Sequence, residues 1–176
     1  MRIRIGAAAI CAGLALLTLG GLVPPAGAQS GTTVRIENHP TLGPYLVNGG
    51  GSSLYLFEED RRDGDRGREV ESDCAGECLD RWPPLLAGEG DPEAGPGADP
   101  ALVGVFVRED GRRQVMYNGW PLYFYWEDFV PGDTHGHDLD DSGGEWYLLT
   151  PAGWGVGVPA DEEEGGRQRE DDDRDD

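Results

Sequence analysis

Nine consecutive residues, Asp133-Thr134-His135-Gly136-His137-Asp138-Leu139-Asp140-Asp141, hold two of the chain's three histidines and four carboxylates. Imidazoles two positions apart with carboxylates around them form a donor set for zinc or copper, and the oxygens alone would suit calcium. Asp133, His135, His137 and Asp138 are the candidate ligands of such a divalent metal. The segment is not an EF-hand, because His135 and His137 stand where that loop needs oxygen ligands and no glutamate ends it. Gly132, Gly136, Gly143 and Gly144 surround the cluster, and a solvated acidic turn is the alternative reading.

A second pattern occurs twice, sixty-eight residues apart. Leu54, Tyr55, Phe57, Glu59 and Asp60 recur as Leu122, Tyr123, Tyr125, Glu127 and Asp128, each set behind a glycine turn, at Gly51 and at Gly119. Such self-similarity says that one β-hairpin unit was built twice. Tyr55 and Phe57 alternate along a strand and share a face, as do Tyr123 and Tyr125. Exposed, these rings would make an aromatic platform for a glycan, a quinone-like ring or a peptide; buried, they are core, with hydroxyls satisfied by backbone or by the acid that ends the strand. Asp60 and Asp128 suit local capping of the following turn, and would act as a catalytic carboxylate pair only if the fold made them converge.

Of the three cysteines, Cys11 falls in an N-terminal apolar run, which leaves Cys74 and Cys78 in Cys-Ala-Gly-Glu-Cys. Two cysteines left alone in an oxidising compartment pair, and a ring this small contributes about 2 kcal/mol in the chain-entropy model. A zinc site would need more ligands than two thiolates, and covalent haem attachment needs histidine where Leu79 stands. Ser142 lies near the histidines without a nucleophile-elbow motif. Phosphate-binding glycine loops and zincin helices are missing too, so the residues favour a non-enzymatic protein.

The words around the repeated motif occur in a fixed order. Tyr55-Leu-Phe-Glu-Glu-Asp60 is followed by Cys74 to Cys78, Trp82-Pro83-Pro84-Leu85, Asp110-Gly111 and Tyr117-Asn118-Gly119-Trp120-Pro121. Then come Tyr123-Phe-Tyr-Trp-Glu-Asp128, Pro131-Gly132-Asp133-Thr134, Gly136 and Trp146-Tyr147. In these words the chain resembles the bacterial secreted-repeat predicted lipoproteins with the Y-x-[FWY]-x-x-D motif, over roughly residues 43 to 158. The resemblance implies an exported protein of the cell envelope or extracellular space and assigns no reaction. The expected function is a binding module for a ligand, a surface polymer or a partner; the alternative is a metal-handling or electron-transfer accessory using the loop 133–141.

The elements that must position these residues are mostly strands. Asp110-Gly111 and Asn118-Gly119 between apolar runs are strong hairpin signals, predicting strands over 102–107, 113–117 and 122–126. Others are predicted at 44–47, 53–57, 146–150 and 154–158. The fold class is all-β, two tandem hairpin-based repeats merging into one small antiparallel sandwich or barrel with little helix. Residues 1–28 read as a signal peptide, with Arg2 and Arg4 before an apolar run and Ala26-Gly27-Ala28 at the cleavage point. The first repeat spans 29–95, with a polar loop over 61–73, and the second spans 96–159. A Gly- and Pro-rich linker over 87–100 joins them. Residues 160–176 form an acidic tail too polar to fold.

The formal net charge is −20, with 34 acidic residues against 14 basic ones, all arginine. Such a balance excludes a general nucleic-acid binder, since phosphate needs a basic face. With the leader removed the chain should carry no membrane span.

Overall fold

The computed structural model describes residues 32–62 and 69–158. The predicted signal peptide, 1–28, and the predicted acidic tail, 160–176, lie outside the described residues. Thr33 to His39 forms strand β1 (Thr33–His39), antiparallel to β2 (Gly43–Asn48), with Arg35 opposite Val47 and Glu37 opposite Tyr45. The other edge of β1 pairs in parallel with β4 (Glu93–Ala94). The Gly- and Pro-rich segment therefore contributes a short strand, and the Ile36 N–H donates to the Pro96 carbonyl at 3.0 Å.

The Asp-Gly and Asn-Gly turns fall where expected. Strand β5 (Val103–Val107) returns as β6 (Arg113–Tyr117), and β6 pairs with β7 (Trp120–Pro121). Asn118 and Gly119 have φ of 51° and 82°, the pair of left-handed conformations that a tight hairpin turn needs. A third sheet has the order β3-β9-β8, from β3 (Tyr55–Phe57), β8 (Leu139–Asp141) and β9 (Gly144–Leu148). The one helix among the described residues is α1 (Cys78–Arg81). The fold is all-β in three small sheets without barrel closure.

Three expectations change. The strand predicted over 122–126 is β7 followed by a bridge at Tyr123. Its backbone partners lie on several segments, with Phe124 donating to Pro83 and Trp126 to Arg81, so no single ladder forms. Residues 154–158 are mostly turn, tied by one bridge from Leu149 to Gly155. Strand β8 arises inside the histidine-acid loop because Ser142 and Gly143, both at positive φ, close a hairpin that pairs Leu139 with Trp146.

The two copies of the motif meet at the centre. The Tyr55 N–H donates to the Tyr123 carbonyl and the Tyr123 N–H donates to the Tyr55 carbonyl, both at 3.0 Å. On the outer sides Tyr55 pairs with Leu148 and Tyr123 bridges to Pro84. Four segments thus lie in the order Leu148, Tyr55, Tyr123, Pro84, with the second half repeating the first in reverse. Leu54, Leu56 and Leu122 face one buried cluster, and Tyr55, Phe57, Tyr123 and Tyr125 face another. This division is the period-two alternation of a strand buried on both faces.

Candidate functional site

The second cluster is built around two indoles. Trp82 follows α1 and Trp146 lies on β9, and their rings stack with centroids 3.8 Å apart and planes within 2°. Phe57 stacks on Trp146 at 4.3 Å, and Tyr125 lies against Trp82 at 4.4 Å. Asp141 on β8 serves both indoles. Its Oδ2 accepts from Trp82 Nε1 at 2.8 Å and its carbonyl from Trp146 Nε1 at 2.9 Å, while Oδ1 pairs with Arg81 at 2.9 Å. Gly136 passes over this stack so closely that a Cβ there would sit 2.7 Å from Trp82 Cη2 and 2.9 Å from Tyr125 Cγ.

The motif tyrosines and aspartates bond crosswise between repeats. The Tyr55 hydroxyl donates to Asp128 Oδ2 and the Tyr123 hydroxyl to Asp60 Oδ2, each at 2.6 Å. The other oxygen of each carboxylate takes a backbone N–H from the loop that follows: Asp73 to Asp60 Oδ1 at 2.8 Å, His135 to Asp128 Oδ1 at 2.9 Å. Each acid therefore spends one oxygen on the opposite repeat and one on its own loop. Burial pushes both tyrosine hydroxyls up in pKa, and the neighbouring carboxylates add to the shift. Neither phenol ionises in ordinary conditions.

The two ends of this arrangement differ in depth. Asp60 is fully buried, and burial raises its pKa to about 7, against the lowering influence of the Tyr123 hydroxyl, the Asp73 N–H and the Arg108 charge. A polar network extends from it. Ser72 Oγ and Tyr123 Oη are 2.7 Å apart, and Arg108 donates from Nη1 to Ser72 Oγ at 3.0 Å and to Gln114 Oε1. Arg108 Nη2 donates to the Cys74 carbonyl at 2.6 Å. Cys74 and Cys78 form a disulfide with Cα atoms 5.4 Å apart. It closes a loop packed against the Asp60 end.

These positions correct the aromatic-platform expectation. Tyr55, Phe57, Tyr123 and Tyr125 are all at most 5% exposed, so no ligand stacks on them in this conformation. Asp60 and Asp128 are held apart in function too, each bonded to the opposite tyrosine. The metal candidates go to separate tasks. Asp133 Oδ2 accepts the Phe129 and Val130 N–H groups at 2.9 and 3.0 Å, and exposed His135 places Nδ1 3.2 Å from Asp128 Oδ1. His137 accepts the Leu148 N–H at Nδ1, and burial lowers its pKa. Asp138 sits at φ 57° on the entry to β8. Among the described residues, no three His, Cys, Asp or Glu side chains gather in the manner of a metal site.

The unburied chemistry lies at the end of the second motif and in the turn that follows it. Trp126, Phe129 and Val130 are 50%, 81% and 59% exposed. Asp133 caps that turn from inside, and the Gly132 N–H is tied to the Gly51 carbonyl of the first repeat at 3.2 Å. Arg81 lies over the Trp126 ring, its guanidinium carbon 6.0 Å from the centroid. Sixty-eight residues earlier the equivalent positions are Glu58, Arg61 and Arg62. There Arg61 pairs with Glu71 and Arg62 covers the Trp154 ring at 4.4 Å. Trp126 fills a variable position of the motif and Phe129 and Val130 follow it, so none stands out in the sequence as a site residue, although their replacement by charged residues in the other copy is a visible signal.

Two copies of one strand word, locked by reciprocal tyrosine–aspartate bonds, define a duplicated all-β repeat protein. A family model described as a secreted repeat of unknown function matches residues 39–86 and again 104–150. The chain belongs to that family, and the description implies export. No curated protein and no solved structure matches the chain. No helix among the described residues is long and apolar enough to cross a membrane.

Proposed function

We propose that the protein is a non-enzymatic binding module of the cell envelope or extracellular space, which holds a surface polysaccharide through Trp126 and Phe129. The observation that supports this reading is a pair of exposed aromatic rings, Trp126 at the end of the motif and Phe129 in the internally capped turn after it, replaced by charge in the other repeat. Pyranose rings offer a face of C–H bonds to an aromatic ring, and a glycan site adds polar groups at its margin. Arg81, its guanidinium carbon 6.0 Å from the centroid of the Trp126 ring, would be such a group. A non-enzymatic role is supported by the motif carboxylates, which are engaged in structural bonds on both oxygens.

Co-sedimentation with purified peptidoglycan, and with chitin and cellulose as comparison polymers, tests the reading. Wild type is expected to pellet with at least one polymer, and Trp126→Ala/Phe129→Ala to lose about tenfold or more in affinity with unchanged circular dichroism. Binding to none of the three, or binding that survives the double substitution, removes the proposal.

A further inference from the structure

A second surface, independent of the aromatic turn, lies at the edge of the β5-β6-β7 sheet. The Arg108 N–H donates to the Arg112 carbonyl and the Asn118 N–H to the Leu102 carbonyl. With the register Gly104 to Met116 and Phe106 to Gln114 between them, residues 102, 104, 106 and 108 turn their polar backbone groups toward β6. Val103, Val105 and Val107 turn theirs away. Among the described residues, no strand pairs with that side of β5 and these three residues have no backbone partner. Unpaired N–H and C=O groups in a row are a template for another strand.

The edge runs into a cleft. Between the disulfide loop and the β5–β6 turn lies a space of about 400 Å³, bounded by Ala75 and Leu79 on one side and by Phe106, Val107 and Arg108 on the other. This volume is in the range of small ligand sites. Arg108, 7% exposed, directly follows Val107 and forms part of the wall. Its Nε is buried without a hydrogen-bond partner, with a carboxylate oxygen of Asp110 3.7 Å away. A buried donor left unmet is costly, so an acceptor brought to this place gains more than one met in water.

We propose that β5 takes up an extended peptide of a partner protein as an added strand, with a basic side chain of that peptide entering the cleft. The outward groups of Val103, Val105 and Val107 pair with its backbone. Arg108 Nε meets a carbonyl oxygen at the end of the added strand. The aliphatic stem of the lysine or arginine packs on Leu79 and Phe106 while its charged head reaches the rim. Rim charge selects the sign. Glu71 and Asp110 are already paired with Arg61 and Arg112, whereas Glu109 makes no ion pair among the described residues. A second copy of the chain is a poor occupant, since each copy carries a net charge of −20 and like charges repel.

Fluorescein-labelled Thr-Val-Arg-Val-Thr-Val provides the probe, with a glutamate-for-arginine counterpart and a form N-methylated at alternate amides. Binding is read by anisotropy on the whole protein. The arginine peptide is expected to bind about tenfold or more tighter than the glutamate one, and N-methylation to lose about tenfold. Val105→Pro removes an outward N–H that the native sheet does not use, and should lose a similar factor. Glu109→Gln should lower affinity for the arginine peptide alone, and hydrogen exchange at the Val105 and Val107 amides should slow on binding. If Val105→Pro fails to fold, the exchange and Glu109→Gln measurements still decide. No binding at millimolar peptide, equal binding of the two charge forms, unchanged exchange at Val105 and Val107, or a β5-paired dimer in sedimentation would each overturn the proposal.

Discussion

Asp60 offers a sharp test of how the core is held. Its pKa is raised to about 7 by burial, from 3.8 in the unfolded chain. Between these values the native state holds a proton that the unfolded state has released. Stability from this group is therefore full below about pH 4 and is lost as pH rises through about 7. A difference near three pKa units corresponds to about 4 kcal/mol, at up to about 1.4 kcal/mol per pH unit. Asp60→Asn isolates the effect, because the amide copies the neutral acid. Its nitrogen can donate to Tyr123 Oη while its oxygen keeps the Asp73 N–H. Tyr123 then turns its own proton to Ser72, whose Oγ is 2.7 Å away.

The measurement is urea unfolding of both proteins, followed by tryptophan fluorescence from pH 4 to 8 at constant ionic strength. Self-repulsion among the other acids changes over this range in both chains and cancels in the difference. The two proteins should have similar midpoints at pH 4. By pH 8 the Asp60→Asn variant should be the more stable by about 4 kcal/mol, a midpoint shift of roughly 2 M urea at a typical slope. A stability difference that stays constant within about 0.5 kcal/mol over the whole range would refute the reasoning. So would a wild type that gains on the variant as pH rises, since that sign belongs to a carboxylate with a depressed pKa.

Two more substitutions probe the crosswise bonds and the stack. Tyr123→Phe and Tyr55→Phe each remove a 2.6 Å hydrogen bond to a carboxylate, and each should lower stability by about 1–3 kcal/mol in denaturant unfolding. A loss below about 0.5 kcal/mol at both, well under that range, would show the reciprocal pairs to be incidental. Gly136→Ala places a methyl against Trp82 and Tyr125; about 1–3 kcal/mol of destabilisation is expected. Near-ultraviolet circular dichroism should change with it, as the indole pair shifts.

The legible part of the fold was what local chemistry dictates. The Asp-Gly and Asn-Gly dipeptides encode their own backbone angles, and β5 and β6 followed directly. The Cys74–Cys78 pairing followed from the short spacing and from the lack of other cysteines after the N-terminal apolar run. Strand β1 was less visible because Arg35, Glu37 and Asn38 break its apolar character. Its partners lie on two sides, and the parallel one comes from the Gly- and Pro-rich segment read as linker. The histidine-acid loop misled for a related reason. Its residue types suit a metal, but Asp133, His135 and His137 are bound one by one to backbone N–H groups and to Asp128. Spacing along the chain does not say which way a side chain turns in a loop. Nothing local announced Arg108 or Ser72 either, since their importance comes from contact with the neighbourhood of Asp60 across the fold.

Reciprocity explains why the motif words had to be kept together in both copies. The hydroxyl of each motif tyrosine donates to the aspartate of the other repeat, and that aspartate also ties down its own following loop through a backbone N–H. An isolated repeat would lose the carboxylate that its buried tyrosine meets and one ring of the Trp82–Trp146 stack, leaving a large ring uncovered. Such a core tolerates little variation inside it, which directs change outward to the segments that the aspartates anchor. In the first copy that segment holds Arg61, Arg62 and the disulfide loop beside the β5 edge. In the second it displays Trp126 and Phe129. One scaffold thereby presents two chemically unlike surfaces, and the bonds that make the repeats inseparable are the same ones that set both surfaces in place.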